Sequence, residues 1–144
     1  MKVKDIMSSQ VATVKPDTTV VEAAQLMQKH DVGAVPVCEG PKVVGIVTDR
    51  DIVVRNVAHG KDPQTTPVRD VMSSAVNVIS PDMSLNQAAE LMSDQQIRRL
   101  PVVEADHLVG MVSLGDLAAK AKTDVEVAET LGDISHPSEP EKMS

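Results

Sequence analysis

The sequence contains no phenylalanine, tyrosine or tryptophan among its 144 residues. Its core must therefore be aliphatic, and eight methionines are available to fill space that aromatic rings would otherwise occupy. This absence excludes a platform of aromatic side chains, on which proteins that bind single-stranded nucleic acids stack the bases. It also disfavours a protein interface that is anchored by aromatic residues.

Cysteine and positive charge are scarce as well. Cys38 is the sole cysteine, so the sequence predicts neither an internal disulfide nor a cysteine metal cluster, and the four histidines show no ligand spacing. The formal net charge is −7, and residues 123–144 hold six acidic side chains against one lysine. This balance argues against binding to a nucleic acid polymer. We expect residues 123–144 to form an acidic helix end followed by a disordered tail.

Long hydrophobic runs are also missing. No segment approaches the length that spans a membrane, and the N-terminus shows no secretory pattern. We therefore expect a cytoplasmic protein that does not insert into membranes. The sequence shows no Ser/His/Asp arrangement, no phosphate-binding glycine loop and no set of metal ligands, so we do not predict an enzyme.

The sequence does contain a gapless internal repeat with a period of 65 residues. Residues 3–52 align with residues 68–117, and a period this long indicates two copies of one supersecondary unit. We predict repeat 1 over residues 1–60, a linker over 61–67 and repeat 2 over 68–122. The identical pairs include Met7-Ser8-Ser9 with Met72-Ser73-Ser74, Pro16-Asp17 with Pro81-Asp82 and Val44-Gly45 with Val109-Gly110.

Each copy predicts the same order of elements: strand, helix, strand, strand, helix. Thr19 and Ser84 begin capping boxes that precede amphipathic helices. Paired β-branched runs then predict hairpins, at Ala34–Cys38 with Val43–Thr48 and at Leu100–Val103 with His107–Ser113. One copy is too small to bury an adequate core. The sequence therefore predicts an α/β (α+β) fold in which two βαββα repeats pack sheet to sheet with pseudo-two-fold symmetry.

Two motifs in the same register resemble the signature of the cystathionine β-synthase (CBS) domain. They are Gly45-Ile46-Val47-Thr48-Asp49-Arg50-Asp51-Ile52 and Gly110-Met111-Val112-Ser113-Leu114-Gly115-Asp116-Leu117. Matching flanks support them, including Asp5-Ile6-Met7 with Asp70-Val71-Met72. Over residues 3–122 the chain resembles a tandem pair of CBS domains, called a Bateman module, of the stand-alone bacterial kind.

The resemblance implies that an adenine nucleotide (AMP, ADP or ATP) or S-adenosylmethionine binds in the clefts between the repeats. It implies no required cofactor and no metal site, with Mg²⁺ entering only together with a nucleotide. Arg98 and Arg99 fall where related modules contact phosphate. One site would use Val11, Ala12, Val32, Gly33, Met111, Ser113 and Asp116; the other would use Ile46, Thr48, Asp51, Val76, Asn77, Ile97 and Arg98.

The chemistry of the motifs leaves two roles open for their aspartates. A carboxylate at Asp51 or Asp116 can accept hydrogen bonds from both ribose hydroxyls. The spacings Thr48-x-x-Asp51 and Ser113-x-x-Asp116 also fit capping boxes that start a helix. The two roles can coexist.

Two functions also stay open. The chain is either a sensor whose cleft closes on a ligand and signals to a protein partner, or a ligand-free module that acts through homodimer or partner contacts.

Overall fold

The computed structural model describes residues 1–74 and 76–121, together with residue 132. Apart from residue 132, the predicted acidic segment 123–144 lies outside the described residues. Within this part of the chain, no helix is both long enough and apolar enough to cross a membrane. The first repeat contains α1 (Val20–His30), β1 (Ala34–Glu39), β2 (Lys42–Thr48) and α2 (Asp49–Ile52), and a π-helix (Val53–Val57) continues α2. The second repeat contains α3 (Leu85–Gln95), β3 (Arg99–Glu104), β4 (His107–Ser113) and α4 (Leu114–Ala121).

Both predicted hairpins form, as two antiparallel pairs of strands. β1 pairs with β2, and β3 pairs with β4. The predicted helices begin as expected, because the hydroxyl oxygens of Thr19 and Ser84 accept hydrogen bonds from backbone N–H groups at the start of α1 and α3. At Ser84 the capping box is complete, with Gln87 returning a bond to the Ser84 backbone.

The strand predicted at the start of each repeat is shorter than expected. Val14 forms an isolated parallel bridge to Val37, and Ile79 forms the equivalent bridge to Val102. A proline follows two residues after each bridge. Because proline lacks a backbone N–H group, it cannot extend the ladder, and the chain turns towards the helix instead.

Each hydrophobic core is completed by the segment that begins the other repeat. Val3 is fully buried in the core of repeat 2, whereas Val68 and Val71 are buried in the core of repeat 1. The Val3 backbone donates a hydrogen bond to the Met83 carbonyl at 2.8 Å. The two repeats therefore exchange their first segments, and the domain boundaries drawn from the sequence stay a prediction.

Two glycines allow the exchanged segments to approach the inner strands closely. Ser8 exchanges two backbone hydrogen bonds of 2.9 Å with Met111 of β4, next to Gly110. A Cβ atom on Gly110 would lie 2.7 Å from the Met7 sulfur and 2.8 Å from the Ser8 carbonyl oxygen. Gly45 has the same relation to the segment that begins repeat 2, where a Cβ atom would lie 2.5 Å from a methionine sulfur. These positions require glycine because of the contact, whatever their backbone angles.

Cys38 lies in β1 and is 5% exposed. Burial raises the pKa of its thiol, which lowers the fraction of reactive thiolate at neutral pH. This placement agrees with the hydrophobic character of its repeat equivalent, Val103.

Candidate functional site

The residues predicted for the two sites line two clefts between the repeats, and each cleft is lined by residues from both repeats. The larger has a volume of about 600 Å³ and the smaller a volume of about 220 Å³. Small-molecule sites are typically roughly 300–1,000 Å³. The larger cleft therefore has room for a nucleotide, whereas the smaller would hold part of one unless it opens.

All seven residues predicted for one site line the larger cleft. Repeat 1 contributes three of them from β2 and α2, while repeat 2 contributes the chain before Ile79 and the chain that enters β3. Sequence reasoning missed Ser73 and Gln96, which also line this cleft. Ser73 arrives there because it pairs with Ile46 across the exchanged segment. The seven residues are Ile46, Thr48, Asp51, Val76, Asn77, Ile97 and Arg98.

Six of the seven residues predicted for the other site line the smaller cleft. They are Val11, Ala12, Val32, Met111, Ser113 and Asp116. Gly33, which was predicted for this site, lines the larger cleft instead. Its carbonyl oxygen accepts a hydrogen bond of 2.9 Å from the Asp49 backbone. That bond holds Gly33 beside the start of α2.

Both motif aspartates form capping boxes. Asp51 Oδ2 accepts from the Thr48 backbone N–H at 2.9 Å, and Thr48 Oγ1 accepts from the Asp51 backbone N–H at 3.0 Å. Ser113 and Asp116 repeat the arrangement at 2.9 Å and 3.1 Å. Only one oxygen of each carboxylate is used in the cap, so the capping role is compatible with ligand binding at the other oxygen.

Arg55 connects Asp51 to an exchanged segment, and sequence reasoning missed it. Its Nη1 donates hydrogen bonds to the carbonyl oxygens of Val71 and Met72 at 3.2 Å and 3.1 Å. Its Nε lies 4.0 Å from Asp51 Oδ1. The sequence contains the signal for this contact, because Asp51 and Arg55 are four residues apart and residues four apart on a helix are neighbours. Arg55 thus positions both Asp51 and the chain that leads into Ser73.

The larger cleft carries an excess of positive charge. Three arginines line it, compared with two acidic residues, Asp49 and Asp51; the arginines are Arg50, Arg98 and Arg99. Within the part of the chain that the structure describes, the three guanidinium groups form no ion pair with a carboxylate. A planar guanidinium group can bind phosphate through two parallel hydrogen bonds. The cleft therefore contains a carboxylate that can accept hydrogen bonds from hydroxyl groups and unpaired guanidinium groups that can bind an anion.

The model of the CBS domain family matches residues 3–56 and 68–122. The chain therefore belongs to the CBS domain family and contains a pair of CBS domains. The CBS domain-containing protein YhcV of Bacillus subtilis (strain 168) is 50% identical over 134 residues, which cover 93% of this chain and 95% of that protein.

Two solved structures share the fold and differ in what they bind. Hypoxic Response Protein I, solved with two coordinated zinc ions, is 34% identical with a TM-score of 0.77, and the match covers 83% of this chain and 98% of that one. The CBS domain pair of protein MJ0100, in complex with 5′-methylthioadenosine and S-adenosyl-L-methionine, is 29% identical with a TM-score of 0.76, covering 85% and 96%. These likenesses confirm the predicted fold class.

The described residues of this chain contain no cluster of three side chains of the types that usually bind zinc. No group of three or more His, Cys, Asp or Glu side chains lies together there in a way that would hold a metal ion. His30 and Asp116 both line the smaller cleft, and among the described residues no third side chain of these types joins them.

Proposed function

We propose that this CBS pair is a regulatory module that binds an adenine nucleotide between its repeats and signals its occupancy to a protein partner. The observation that carries the proposal is the convergence of seven predicted residues from both repeats on one cleft of about 600 Å³. The complex of a related CBS pair with two adenosyl ligands supports this class of ligand.

Base burial alone does not account for useful affinity. Ile46, Val76 and Ile97 would enclose the adenine, since the chain has no aromatic residue to stack on it. A purine buries about 150 Å², worth about 4 kcal/mol, and association costs about 4 kcal/mol or more. Polar contacts must therefore supply the net affinity. Asp51 would accept the ribose hydroxyls, at about 1.5–3 kcal/mol for each charged hydrogen bond.

The charge of the larger cleft favours a phosphorylated ligand over S-adenosylmethionine, whose sulfonium group is cationic. Arg50 lies in repeat 1, while Arg98 and Arg99 lie in repeat 2. A phosphate group bound between them would draw the two repeats together. The ligand would thereby favour a closed arrangement over an open one, and a partner would bind the surface that this shift changes.

We expect Arg98→Gln to weaken ATP binding by about tenfold or more, because it removes one charge-assisted phosphate contact. Adenosine, which has no phosphate, should bind both proteins equally. Isothermal titration calorimetry at low and moderate salt measures both ligands, and the difference between the proteins for ATP should shrink as salt rises. A further titration with Mg²⁺ alone should give no binding.

Arg69→Gln is the matched control for this experiment. Arg69 is exposed and lies outside the lining of both clefts, so its replacement removes the same charge without touching the site. Equal losses of ATP affinity in both variants would contradict the phosphate role, as would an unchanged affinity in Arg98→Gln.

A second candidate function is homodimerisation through an exposed apolar surface. Val53, Val54 and Val57 lie on α2's π-helical continuation and are 57%, 45% and 61% exposed. Clustered exposed hydrophobic residues are typical of an interaction site. Under this hypothesis the chain acts as a dimerisation module whether or not its clefts hold ligand.

The double substitution Val53→Lys/Val57→Lys should convert a dimer to a monomer, because two buried charges would replace apolar contacts. Sedimentation velocity with interference optics measures this without aromatic absorbance. Ala58→Lys, also an exposed position of the same segment, is the control for added charge. A monomeric wild type, or a variant that remains dimeric, would refute this interface. Retained ATP affinity in the monomeric variant would separate the two functions.

A further inference from the structure

We propose that Arg99 is shared by the two clefts, so that an anionic ligand in one weakens the binding of a second anion in the other. This inference rests on the proposed function and adds a regulatory relation between its two sites. The shared residue lies where the two clefts adjoin.

Two positions line both clefts, and they are repeat equivalents. Arg99 begins β3 and pairs with Ser113, which lines the smaller cleft. Ala34 begins β1 and pairs with Thr48, which lines the larger cleft. The clefts therefore meet at one pair of positions related by the pseudo-two-fold symmetry. A side chain there lies within reach of both ligands.

Only one member of this pair is charged. Ala34 has no polar side chain, so a single guanidinium group serves both clefts. Arg99 is half-buried, and within residues 1–74 and 76–121 its side chain has no hydrogen bond or ion pair with another residue. Nothing in the described part of the chain holds it on one side, which leaves it available to an anion in either cleft.

The two clefts depend on Arg99 unequally. Arg50 and Arg98 also line the larger cleft, so an anion there keeps two other cations. Arg99 is the only lysine or arginine among the described residues that line the smaller cleft, which also contains Asp116. When a phosphate in the larger cleft binds Arg99, the smaller cleft retains the carboxylate and loses its cation. An anion then binds the smaller cleft less well, and by linkage the reverse effect has the same size.

AMP is the probe that tests the coupling, because it is the smallest of the phosphorylated candidates. Calorimetry on Asp51→Asn, in which the larger cleft binds nucleotide about a hundredfold more weakly, gives the affinity of the smaller cleft at AMP concentrations that leave its neighbour empty. Titration of the wild type gives the affinity of the second AMP when the larger cleft is full. We expect the second affinity to be lower by about tenfold, within the usual range for coupled sites.

Three variants separate this proposal from general repulsion between ligands. Ala34→Arg supplies a second guanidinium group at the equivalent position. With it, the AMP affinity of the smaller cleft when the larger cleft is full should lie within about threefold of its affinity when the larger cleft is empty. Arg99→Gln removes the shared group, so both the coupling and the smaller cleft's affinity should fall. Arg98→Gln lowers the affinity of the larger cleft alone and should preserve the coupling.

Each outcome bears on a definite claim. A second AMP that binds the wild type as tightly as AMP binds Asp51→Asn would overturn the shared role of Arg99, as would coupling that survives in both Ala34→Arg and Arg99→Gln. A wild type that binds one AMP supports the proposal only if Asp51→Asn also binds one and Ala34→Arg binds two; any other combination overturns it. Failure of every protein to bind AMP would refute the proposed function itself, whereas binding without coupling would refute only this inference.

Discussion

Replacing Asp51 with asparagine should weaken ATP binding to the larger cleft by about a hundredfold while preserving the fold. The side-chain oxygen of asparagine can still accept the hydrogen bond that the Thr48 backbone donates at 2.9 Å, so the cap on α2 is retained. Because that oxygen stays in the cap, an NH2 group takes the place of the second carboxylate oxygen and cannot accept hydrogen bonds from the ribose hydroxyls, which accounts for the expected loss. Calorimetric titration of both proteins measures the effect.

Asp116→Asn is the matched control, because Asp116 has the same cap geometry in the smaller cleft. It should leave the first ATP affinity nearly unchanged, apart from the coupling through Arg99. The melting temperatures of both variants should lie close to that of the wild type. If Asp51→Asn binds ATP as tightly as the wild type, Asp51 serves only as a helix cap, and its ribose role is wrong.

Replacing Gly110 with alanine should destabilise the protein by about 2–3 kcal/mol. The added Cβ would lie 2.8 Å from the Ser8 carbonyl oxygen. The Ser8 N–H and C=O groups each form one hydrogen bond with Met111, so the Ser8 backbone cannot move aside without breaking them. The exchanged segment would separate from β4, and the core of repeat 2 would lose the burial of Val3. Thermal unfolding followed by far-ultraviolet circular dichroism should show a melting temperature lower by roughly 5–15 °C.

Gly115→Ala provides the control in the same repeat. Gly115 is exposed on α4, and an added Cβ would lie 3.6 Å from the Ser113 hydroxyl oxygen, an ordinary van der Waals distance. Alanine favours the helix by up to about 1 kcal/mol over glycine, so this variant should melt at or slightly above the wild-type temperature. A Gly110→Ala protein that melts like Gly115→Ala would contradict the exchange of segments.

Much of the fold followed from the register of the repeat. Capping residues at Thr19 and Ser84 and paired β-branched runs indicated the helices and hairpins, because these signals are local in the chain. The seven residues of the larger cleft were predicted from the family resemblance, by position. Their convergence required only that the two motifs face each other across the interface, as the family resemblance implied.

No local pattern in the sequence indicated that the two repeats exchange their first segments. Residues 3–7 and 68–72 are nearly alike in sequence, so each fits either core, and only three-dimensional packing decides which one it completes. Gly33 lies in the larger cleft because the chain bends before β1 and the Gly33 carbonyl oxygen accepts a hydrogen bond from the start of α2, neither of which the repeat alignment indicates. The roles of Arg55 and Arg99 depend on distances between elements, which a repeat alignment does not contain.

The most direct test of the account is equilibrium dialysis of the purified protein against adenine nucleotides at millimolar concentration. Because the chain has no aromatic residue, the strong ultraviolet absorbance of adenine reports bound ligand almost without background from protein. We predict saturable binding of AMP and ATP, with at least one equivalent held per chain and strong weakening in Asp51→Asn. Absence of bound adenine with AMP, ATP and S-adenosylmethionine alike would contradict the account.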